Sequence, residues 1–329
     1  MSFSAQLKTV NNQNNDIYQS AIQFFAQIYF DLQKDSDFSE LTNNFIFADE
    51  ESYPLALDDH GLKPSAGKVV GVAMHHTTSS DKISHYLFYD ISKIWGLIFL
   101  NEKNNDLLNI NKKDRLFQLE HALNIAVHEL GHVHFNNRLL ALNSKFVLEK
   151  DFDTRNLYTR FHHLTQKACI NEYLACLYAS SSISINQPET YRSLQDNVLI
   201  HFNDCPNEVE NAFKKFYQTG HHGVLMNEIY MPIAVLLKSC SYFLGHIHGL
   251  NQKFTGTDLY HKLQDTWFID HILQLEEILS DAYYKIRNNV FEDSDLNGIA
   301  PLLDDIANLF GINAAPTQEQ DDVYVTVIG

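Results

Sequence analysis

Proline is absent from the long stretch between Pro64 and Pro188. Proline disrupts helix interiors, because it lacks the amide hydrogen and its ring clashes with the preceding turn. The stretch also carries apolar residues at helical spacing. This pattern predicts a helix over about 114–142, with Asp114 as its N-cap, and a second helix over about 154–180. The chain is therefore expected to be mostly helical from the first of these helices onward.

Helical patterns also occur outside this stretch. Apolar residues in the segment 16–33 predict an amphipathic helix. Similar patterns predict helices at 207–218, 224–247, 257–287 and 299–310. The most apolar run, Ile229–Leu244, is interrupted by Pro232 and Lys238. We interpret it as a buried core helix, and no membrane-spanning segment is expected, because a span needs about 20 largely apolar residues.

Short segments with strand character precede the long helix. Residues 68–74 and 85–91 are β-prone and flank the turn-forming sequence TTSSDK, which predicts a hairpin, and 96–100 is interpreted as a third strand. Prolines and glycines predict a loop over 50–67. Near the C terminus, VYVTVI alternates like a strand that either pairs with the small sheet or stays free. Together these patterns predict an α+β fold that is mostly helical, with a small mixed sheet before the long helix.

The net charge and the cysteines indicate which partners and which cellular environment to expect. The formal net charge is -17, and phosphate binding requires clustered Lys and Arg, so nucleic acid is not expected as a main partner. The polar N-terminal start lacks the apolar run of a secretory signal. The four cysteines form no C-x-x-C pair. A reduced, cytoplasmic environment is therefore expected, with export by a non-classical route left open.

The long predicted helix contains the sequence HELGH at residues 128–132. Helical residues four apart lie on one face, so His128 and His132 can present two imidazoles to one Zn²⁺. Glu129 is rotated by about 100° from His128, so its carboxylate reaches a water rather than the ion and can act as a general base. The spacing predicts a zinc site with its own base. The alternative is a helix that carries His and Glu by chance.

A catalytic zinc site requires a third protein ligand. The extended form H-E-x-x-H-x-x-G-x-x-H is excluded, because the chain has Phe135 and Arg138 at the Gly and His positions. Glu172, on the next predicted helix, is the leading candidate. The small residues around it would let that helix approach another backbone closely, and Gly131 is the matching small residue in the motif. The other candidates are His162, His163, Cys169, Cys176 and Glu149.

The combination of HExxH on one helix and N-E-x-x-A on the next resembles the gluzincin-type metallopeptidases. The matching residues are His128, Glu129, His132 and Asn171-Glu172-x-x-Ala175. The pair of motifs is also similar to small bacterial metallopeptidases that cleave phage repressors. The resemblance covers about residues 68–180. It implies a zincin-like fold, Zn²⁺ as cofactor, Glu172 as third ligand, and a peptide or protein substrate bound along an edge strand of the sheet.

One position departs from the gluzincin pattern. Many gluzincins carry an aspartate four residues after the ligand glutamate, where it orients a ligand histidine, and this chain has Cys176 there. The departure motivates a second hypothesis, a catalytically degenerate zincin-like binding or regulatory module. A third is hydrolysis of a non-peptide amide at the same site. Peptide deformylases do not match, because their cysteine ligand precedes HExxH and every cysteine of this chain follows it.

A peptidase also needs a donor for the oxyanion of the tetrahedral intermediate, often Tyr or His. The candidates are Tyr158, His162, His163, His221, His222, Tyr230, His246 and His248. The expected organisation is an N-terminal helical segment and loop (1–60), a zincin-like core (61–185), a helical region completing or flanking the cleft (186–315) and a polar tail with a short strand (316–329). The sequence thus predicts a zinc-dependent metallopeptidase and gives no oligomeric state.

Overall fold

The computed structural model is mostly helical and contains a small mixed sheet. It describes residues 3, 5–9, 14–39, 41, 45–62, 73–78, 83–101, 103, 110–148, 157–316 and 323–327. The helices are α1 (Asn15–Leu32), α2 (Tyr53–Asp58), α3 (Ile91–Ile94), α4 (Lys112–Leu142), α5 (Ser144–Leu148), α6 (Leu157–Ser182), α7 (Pro188–Thr219), α8 (His222–Gly249), α9 (Asp258–Leu263), α10 (Ile269–Arg287) and α11 (Ile299–Leu309). Short 3₁₀ helices cover Trp95–Leu100, Phe254–Gly256 and Asp293–Leu296.

The main sheet has four strands in the order β1-β2-β4-β3. They are β1 (Ala5–Lys8), β2 (Phe45–Ala48), β3 (Ala73–Thr78) and β4 (Ser84–Asp90). Strands β1, β2 and β4 are parallel, and β3 runs antiparallel to β4 at one edge. A separate antiparallel pair joins β5 (Ile312–Pro316) to β6 (Val323–Val327). The VYVTVI segment therefore pairs with β5 rather than with the small sheet.

The chain forms two compact units. The first comprises Met1–Arg138 with Tyr178–Thr190, and the second comprises Leu139–Leu177 with Tyr191–Gly329. The first unit contains the four-stranded sheet and most of α4. The second contains most of α6, α7 and α8, together with the elements that follow them.

The sheet of the first unit is covered on both faces. On one face Phe25 of α1 packs edge-on against Phe47 and Tyr89, with ring centroids 5.3 and 5.1 Å away. The Tyr89 hydroxyl donates to the Ala126 carbonyl oxygen at 3.1 Å, which holds α4 on this face. On the other face Ile46 and Phe88 pack with residues of α2. Alternate residues along each strand thus supply two cores, as the pleat of a strand requires.

Two predictions about the segments around this sheet were wrong. Residues 96–100 form part of a 3₁₀ helix rather than a third strand. Asp90 ends β4 and caps α3, because its side chain accepts from the Ser92 amide at 3.0 Å. Gly96 then lies against α4, where an added Cβ would be 2.3 Å from the Gln118 carbonyl oxygen. The loop predicted over 50–67 contains α2, with Pro54 in the first turn, where proline is well tolerated.

The predicted helices and the hairpin are present, but some of them begin or end at other residues than predicted. The helix over 16–33 and the long helix are confirmed, but α4 begins at Lys112. Asp114 is therefore in the first turn, and Asn111 acts as the cap because its Oδ1 accepts from the Asp114 amide at 3.0 Å. The hairpin is confirmed as β3 and β4. Of the predicted first strand, residues 68–72 lie outside the described part of the chain.

The predicted helices of the second half differ more from the observed ones. The segment predicted at 207–218 is the end of α7, which contains Pro206 and extends back to Pro188. The single helix predicted over 257–287 is divided into α9 and α10. Among the residues that the structure describes, one helix, Gly223–Gly249, is long and apolar enough to cross a membrane, and 56% of its most apolar window is buried inside the protein. Its buried side chains include Ile233, Leu237 and Leu244, which contribute to the core of the second unit.

His246 of α8 predicts a specific pH dependence of stability. The side chain is fully buried, and neither ring nitrogen has a hydrogen-bond partner among the described residues. Burial lowers its pKa from the ordinary 6.5 to about 4. The unfolded chain therefore takes up this proton between pH 6.5 and 4 while the folded chain does not. Stability should fall by about 3 kcal/mol as the pH decreases through this window.

His246→Leu should remove this contribution. Urea denaturation at several pH values measures the free energy of unfolding of the variant relative to the wild type. The free energy of unfolding of the variant, relative to the wild type, should increase as the pH decreases from 6.5 to 4. Above pH 6.5 it should change little. The matched control is His221→Leu, since His221 is exposed at the start of the same helix. Parallel pH curves for His246→Leu and the wild type would contradict the prediction.

Candidate metal centre

The HELGH residues lie in the middle of α4, within the first unit. The ligand atoms of His128, Glu129 and His132 all lie within 4.8 Å of one another. His128 is 9% exposed and Glu129 is 8% exposed. The two imidazole rings have centroids 4.7 Å apart and planes at 85°. Within the described part of the chain, this is the one group of three His, Cys, Asp or Glu side chains close enough to share an ion.

This geometry follows from the helix itself, because residues at i and i+4 occupy one face. The donor set consists of two imidazoles with a carboxylate beside them in a mostly buried setting. Imidazole nitrogens suit Zn²⁺ better than hard cations such as Mg²⁺ or Ca²⁺. His128 and His132 therefore fit as two ligands of a zinc ion that receives a third protein ligand, with the Glu129 carboxylate next to them.

An edge-strand histidine lies beside the motif. The His75 ring of β3 stacks on the His132 ring, with centroids 5.8 Å apart and planes at 11°. Burial lowers the His75 pKa well below its ordinary value, and the proximity of the His85 and His132 rings acts in the same direction. His75 is therefore a neutral imidazole at neutral pH. This histidine was not among the site residues predicted from the sequence.

His75 belongs to a chain of hydrogen bonds that has one consistent proton assignment. The Asn136 amide nitrogen donates to His75 Nδ1 at 3.3 Å, and His75 Nε2 then donates to His85 Nδ1 at 2.9 Å. His85 Nε2 donates to Asn137 Oδ1 at 2.7 Å. The Asn137 amide nitrogen donates to the Asp37 carbonyl oxygen at 3.2 Å. Both histidines are thus neutral, with the proton on Nε2.

This chain joins the edge hairpin to the motif helix. Asn136 follows His132 by one turn, so the two side chains share a face of α4. His85 is fully buried, and Thr77 Oγ1 lies 3.0 Å from its Nδ1. The neutral, fully bonded network fixes β3 and β4 against the turn that carries His132. It therefore restricts the position of the edge strand relative to the motif.

Glu172, the predicted third ligand, belongs to the second unit. Its Oε1 lies 3.0 Å from Lys238 Nζ of α8. Its role as a ligand stays a prediction. The small residues of α6 do allow a close approach of another helix, which is α8, while the matching role expected of Gly131 stays a prediction. A Cβ added to Gly245 would be 2.2 Å from the Tyr173 carbonyl oxygen and 3.0 Å from Cys176 Cβ. The Cβ of Cys176 thus lies in the close contact between α6 and α8.

The other candidate ligands have different environments. Burial raises the Cys169 pKa to about 12, and a protonated thiol is a poor ligand. All four cysteines are buried free thiols. The His162 Nε2 donates to Asp304 Oδ1 at 2.9 Å. The His163 ring packs edge-on against Phe146, at 6.1 Å between centroids. Glu149 lies outside the described residues.

Several of the predicted oxyanion donors form hydrogen bonds to other residues of the second unit. Tyr158 and Tyr230 both donate to Asp304 at 2.7 Å, beside His162 on the same carboxylate. This cluster joins α6, α8 and α11. His248 lies between the Tyr173 hydroxyl, 2.7 Å from its Nδ1, and Glu276 Oε1, 2.9 Å from its Nε2. Of the remaining candidates, His246 is buried without polar partners among the described residues, and His221 is exposed. The side chain of His222 lies outside the described part.

Comparison with known proteins identifies no relative. No protein-family model, curated protein sequence or solved structure matches this chain. The likeness to gluzincins is therefore confined to the short motifs that contain His128, Glu129, His132 and Glu172. What can be inferred about function comes from the chemistry of the residues themselves.

Proposed function

We propose that the protein is a zinc-dependent metallopeptidase with a zincin-like catalytic core. The observation that carries this proposal is the cluster of His128, Glu129 and His132, mostly buried in α4 beside the edge strand of a mixed sheet. The cluster combines two nitrogen donors with an adjacent carboxylate, which is the donor set of a hydrolytic zinc site. The edge strand supplies a place for an extended substrate.

His128 and His132 would hold the ion, with Glu172 as the proposed third ligand. A bound zinc ion would lower the pKa of a water molecule and polarise the substrate carbonyl. Glu129 accepts a proton from the attacking water and passes it to the nitrogen of the leaving amine. The peptide C–N bond breaks in the same sequence of steps, and the carboxylate is regenerated.

Strand β3 is the proposed binding edge for the peptide. One of its edges pairs with β4, and no other described strand pairs with the opposite edge. Unpaired N–H and C=O groups along an edge can accept an added strand. The side chains of His75 and Thr77 contact β4 and the network on α4, so the backbone of β3 is held in place before a peptide adds.

A second candidate function is a binding or regulatory module with a degenerate site. The ion pair of Glu172 with Lys238 favours it, because the carboxylate proposed as third ligand already has a cationic partner. In this alternative the motif binds a metal weakly or without turnover. The two functions differ in whether the metal-loaded protein hydrolyses peptides.

Metal removal tests the peptidase proposal. The purified, zinc-loaded protein is incubated with a diverse peptide library, with and without 1,10-phenanthroline, and cleavage is followed by mass spectrometry. We expect cleavage that the chelator abolishes and added zinc restores, while the non-chelating isomer 1,7-phenanthroline has no effect. Cleavage that persists after complete removal of the metal would exclude a zinc mechanism. Zinc binding without cleavage of any library member would favour the degenerate module.

A further inference from the structure

The first unit contains a cavity of about 320 Å³ beside the start of α1. Its volume is within the range of small-molecule sites in proteins. The residues that line it come from the first turn of α1, from the segment after β4 and from the approach to α4. They are Asn14, Ile17, Tyr18, Ser92, Trp95 and Ile110. None of the candidate metal ligands is among them, so a ligand of this cavity is independent of the proposed peptidase function.

The cavity lies at the edge of the sheet where the parallel strands end. Strands β1, β2 and β4 are parallel, so their carboxyl ends meet at one edge. Helix α1 follows β1, and Ser92 and Trp95 follow Asp90, the last residue of β4. Helix α1 also packs against the 3₁₀ helix Trp95–Leu100. A crevice outside the carboxyl ends of parallel strands is where open α/β sheets bind their ligands.

Tyr18 supplies the observation that points to a ligand. Its side chain is 8% exposed, and its hydroxyl forms no hydrogen bond with any residue in the described part of the chain. The hydroxyl oxygen is not among the fully enclosed polar atoms without a partner, so it faces the open space of the cavity. Mostly buried polar groups normally have a partner. This hydroxyl is therefore suited to bond with a molecule that enters the cavity.

Trp95 and Ser92 present two further polar groups to the same space. The Trp95 ring packs edge-on against Phe99, with centroids 5.5 Å apart and planes at 66°, which fixes the indole. Its Nε1–H forms no hydrogen bond with a described residue and is not fully enclosed. Ser92 Oγ donates to Asp90 Oδ1 at 2.6 Å, so its lone pairs are available to accept a hydrogen bond. The cavity thus combines two donors and one acceptor.

The charges around the cavity favour an uncharged ligand. Among the described residues that line it, none carries a charge. The N-terminal ends of α1 and α4 are partially positive. However, Asp16 and Asp114 lie in the first turns of these helices and offset that charge. The formal net charge of -17 disfavours an anion further.

We propose that this cavity binds a small uncharged amide that carries an apolar ring or chain. The amide oxygen accepts hydrogen bonds from the Tyr18 hydroxyl and from Trp95 Nε1. The amide N–H donates to Ser92 Oγ. The apolar part of the ligand lies against Ile17 and Ile110.

Benzamide is the probe for the first measurement. It is titrated into the ¹⁵N-labelled full-length protein, and the indole N–H signals are followed by NMR. The chain contains two tryptophans, Trp95 and Trp267, and the variant Trp267→Phe identifies the signal of Trp95. We expect saturable binding at about millimolar concentration, as for ligands of this size. The Trp95 indole proton should move downfield while the Trp267 signal stays in place. A Trp95 signal that does not respond would overturn the proposal.

The variant Tyr18→Phe tests the hydroxyl that carries the proposal. It should weaken benzamide binding by about three- to tenfold, because one hydrogen bond is lost. Its thermal unfolding midpoint should equal that of the wild type, since the hydroxyl has no partner among the described residues. The matched control is Tyr29→Phe, a buried tyrosine of the same helix that does not line the cavity. The control should bind benzamide like the wild type. Wild-type affinity in Tyr18→Phe would contradict the proposal.

Two analogues with the same ring test the chemical class of the ligand. Benzoate replaces the amide by a carboxylate and should bind more weakly than benzamide. Benzylamine has no oxygen acceptor and should not move the Trp95 indole proton downfield. Tighter binding of benzoate, or a benzylamine response equal to that of benzamide, would overturn the assignment to uncharged amides. None of these measurements involves a metal ion, so their failure would leave the peptidase proposal unaffected.

Discussion

Glu129→Gln is expected to lower kcat for peptide cleavage by about 10²–10⁴-fold while the protein keeps its metal. Glutamine has nearly the same shape as glutamate but cannot accept the proton of the attacking water. The two histidines that would hold the ion are unchanged. The measurement is peptide turnover together with metal content on the same preparation.

The matched control for this variant is Glu120→Gln. Glu120 lies on the same helix, is 4% exposed, and accepts a hydrogen bond from the Thr190 amide through Oε1. An amide oxygen can accept that bond too, so this variant should retain turnover. Wild-type turnover in Glu129→Gln would show that another residue is the base, and the role proposed for HELGH would be wrong.

Gly245→Ala is expected to destabilise the second unit by about 3 kcal/mol or more. The added Cβ would lie 2.2 Å from the Tyr173 carbonyl oxygen, which is part of the α6 backbone and cannot move alone. Helices α6 and α8 would have to separate next to Glu172. In an unobstructed helix the same substitution would stabilise the protein by about 1 kcal/mol. A decrease in the free energy of unfolding would therefore indicate the clash. Urea denaturation measures the effect.

Gly223→Ala is the control, since it lies in the same helix and nothing is within 4 Å of its added Cβ. This variant should be as stable as the wild type or slightly more stable. If Gly245→Ala is equally well tolerated, α6 and α8 do not approach each other as closely as described.

The helices were predictable from the sequence where local periodicity determines them, as in α1 and α4. The segment 96–100 shows where this reasoning fails. Its apolar composition favours a strand, but the Asp90 side chain caps a helix immediately after β4, and Gly96 packs against the backbone of Gln118. The second of these contacts joins positions distant in sequence, so local patterns do not reveal it.

The same distinction applies to the candidate metal centre. His128, Glu129 and His132 could be identified because their spacing on one helix is a local property. His75 and His85 could not, since their contacts with Asn136 and Asn137 depend on the register of the hairpin against α4.

The zinc content of the purified protein tests the central claim most directly. Elemental analysis is made on the wild type, His128→Ala and Glu172→Ala after expression with sufficient zinc. We expect about one zinc per wild-type chain and loss of most of it in both variants. Retention of zinc by Glu172→Ala alone would place the third ligand elsewhere. A wild-type protein without zinc would contradict the claim that HELGH forms a metal site.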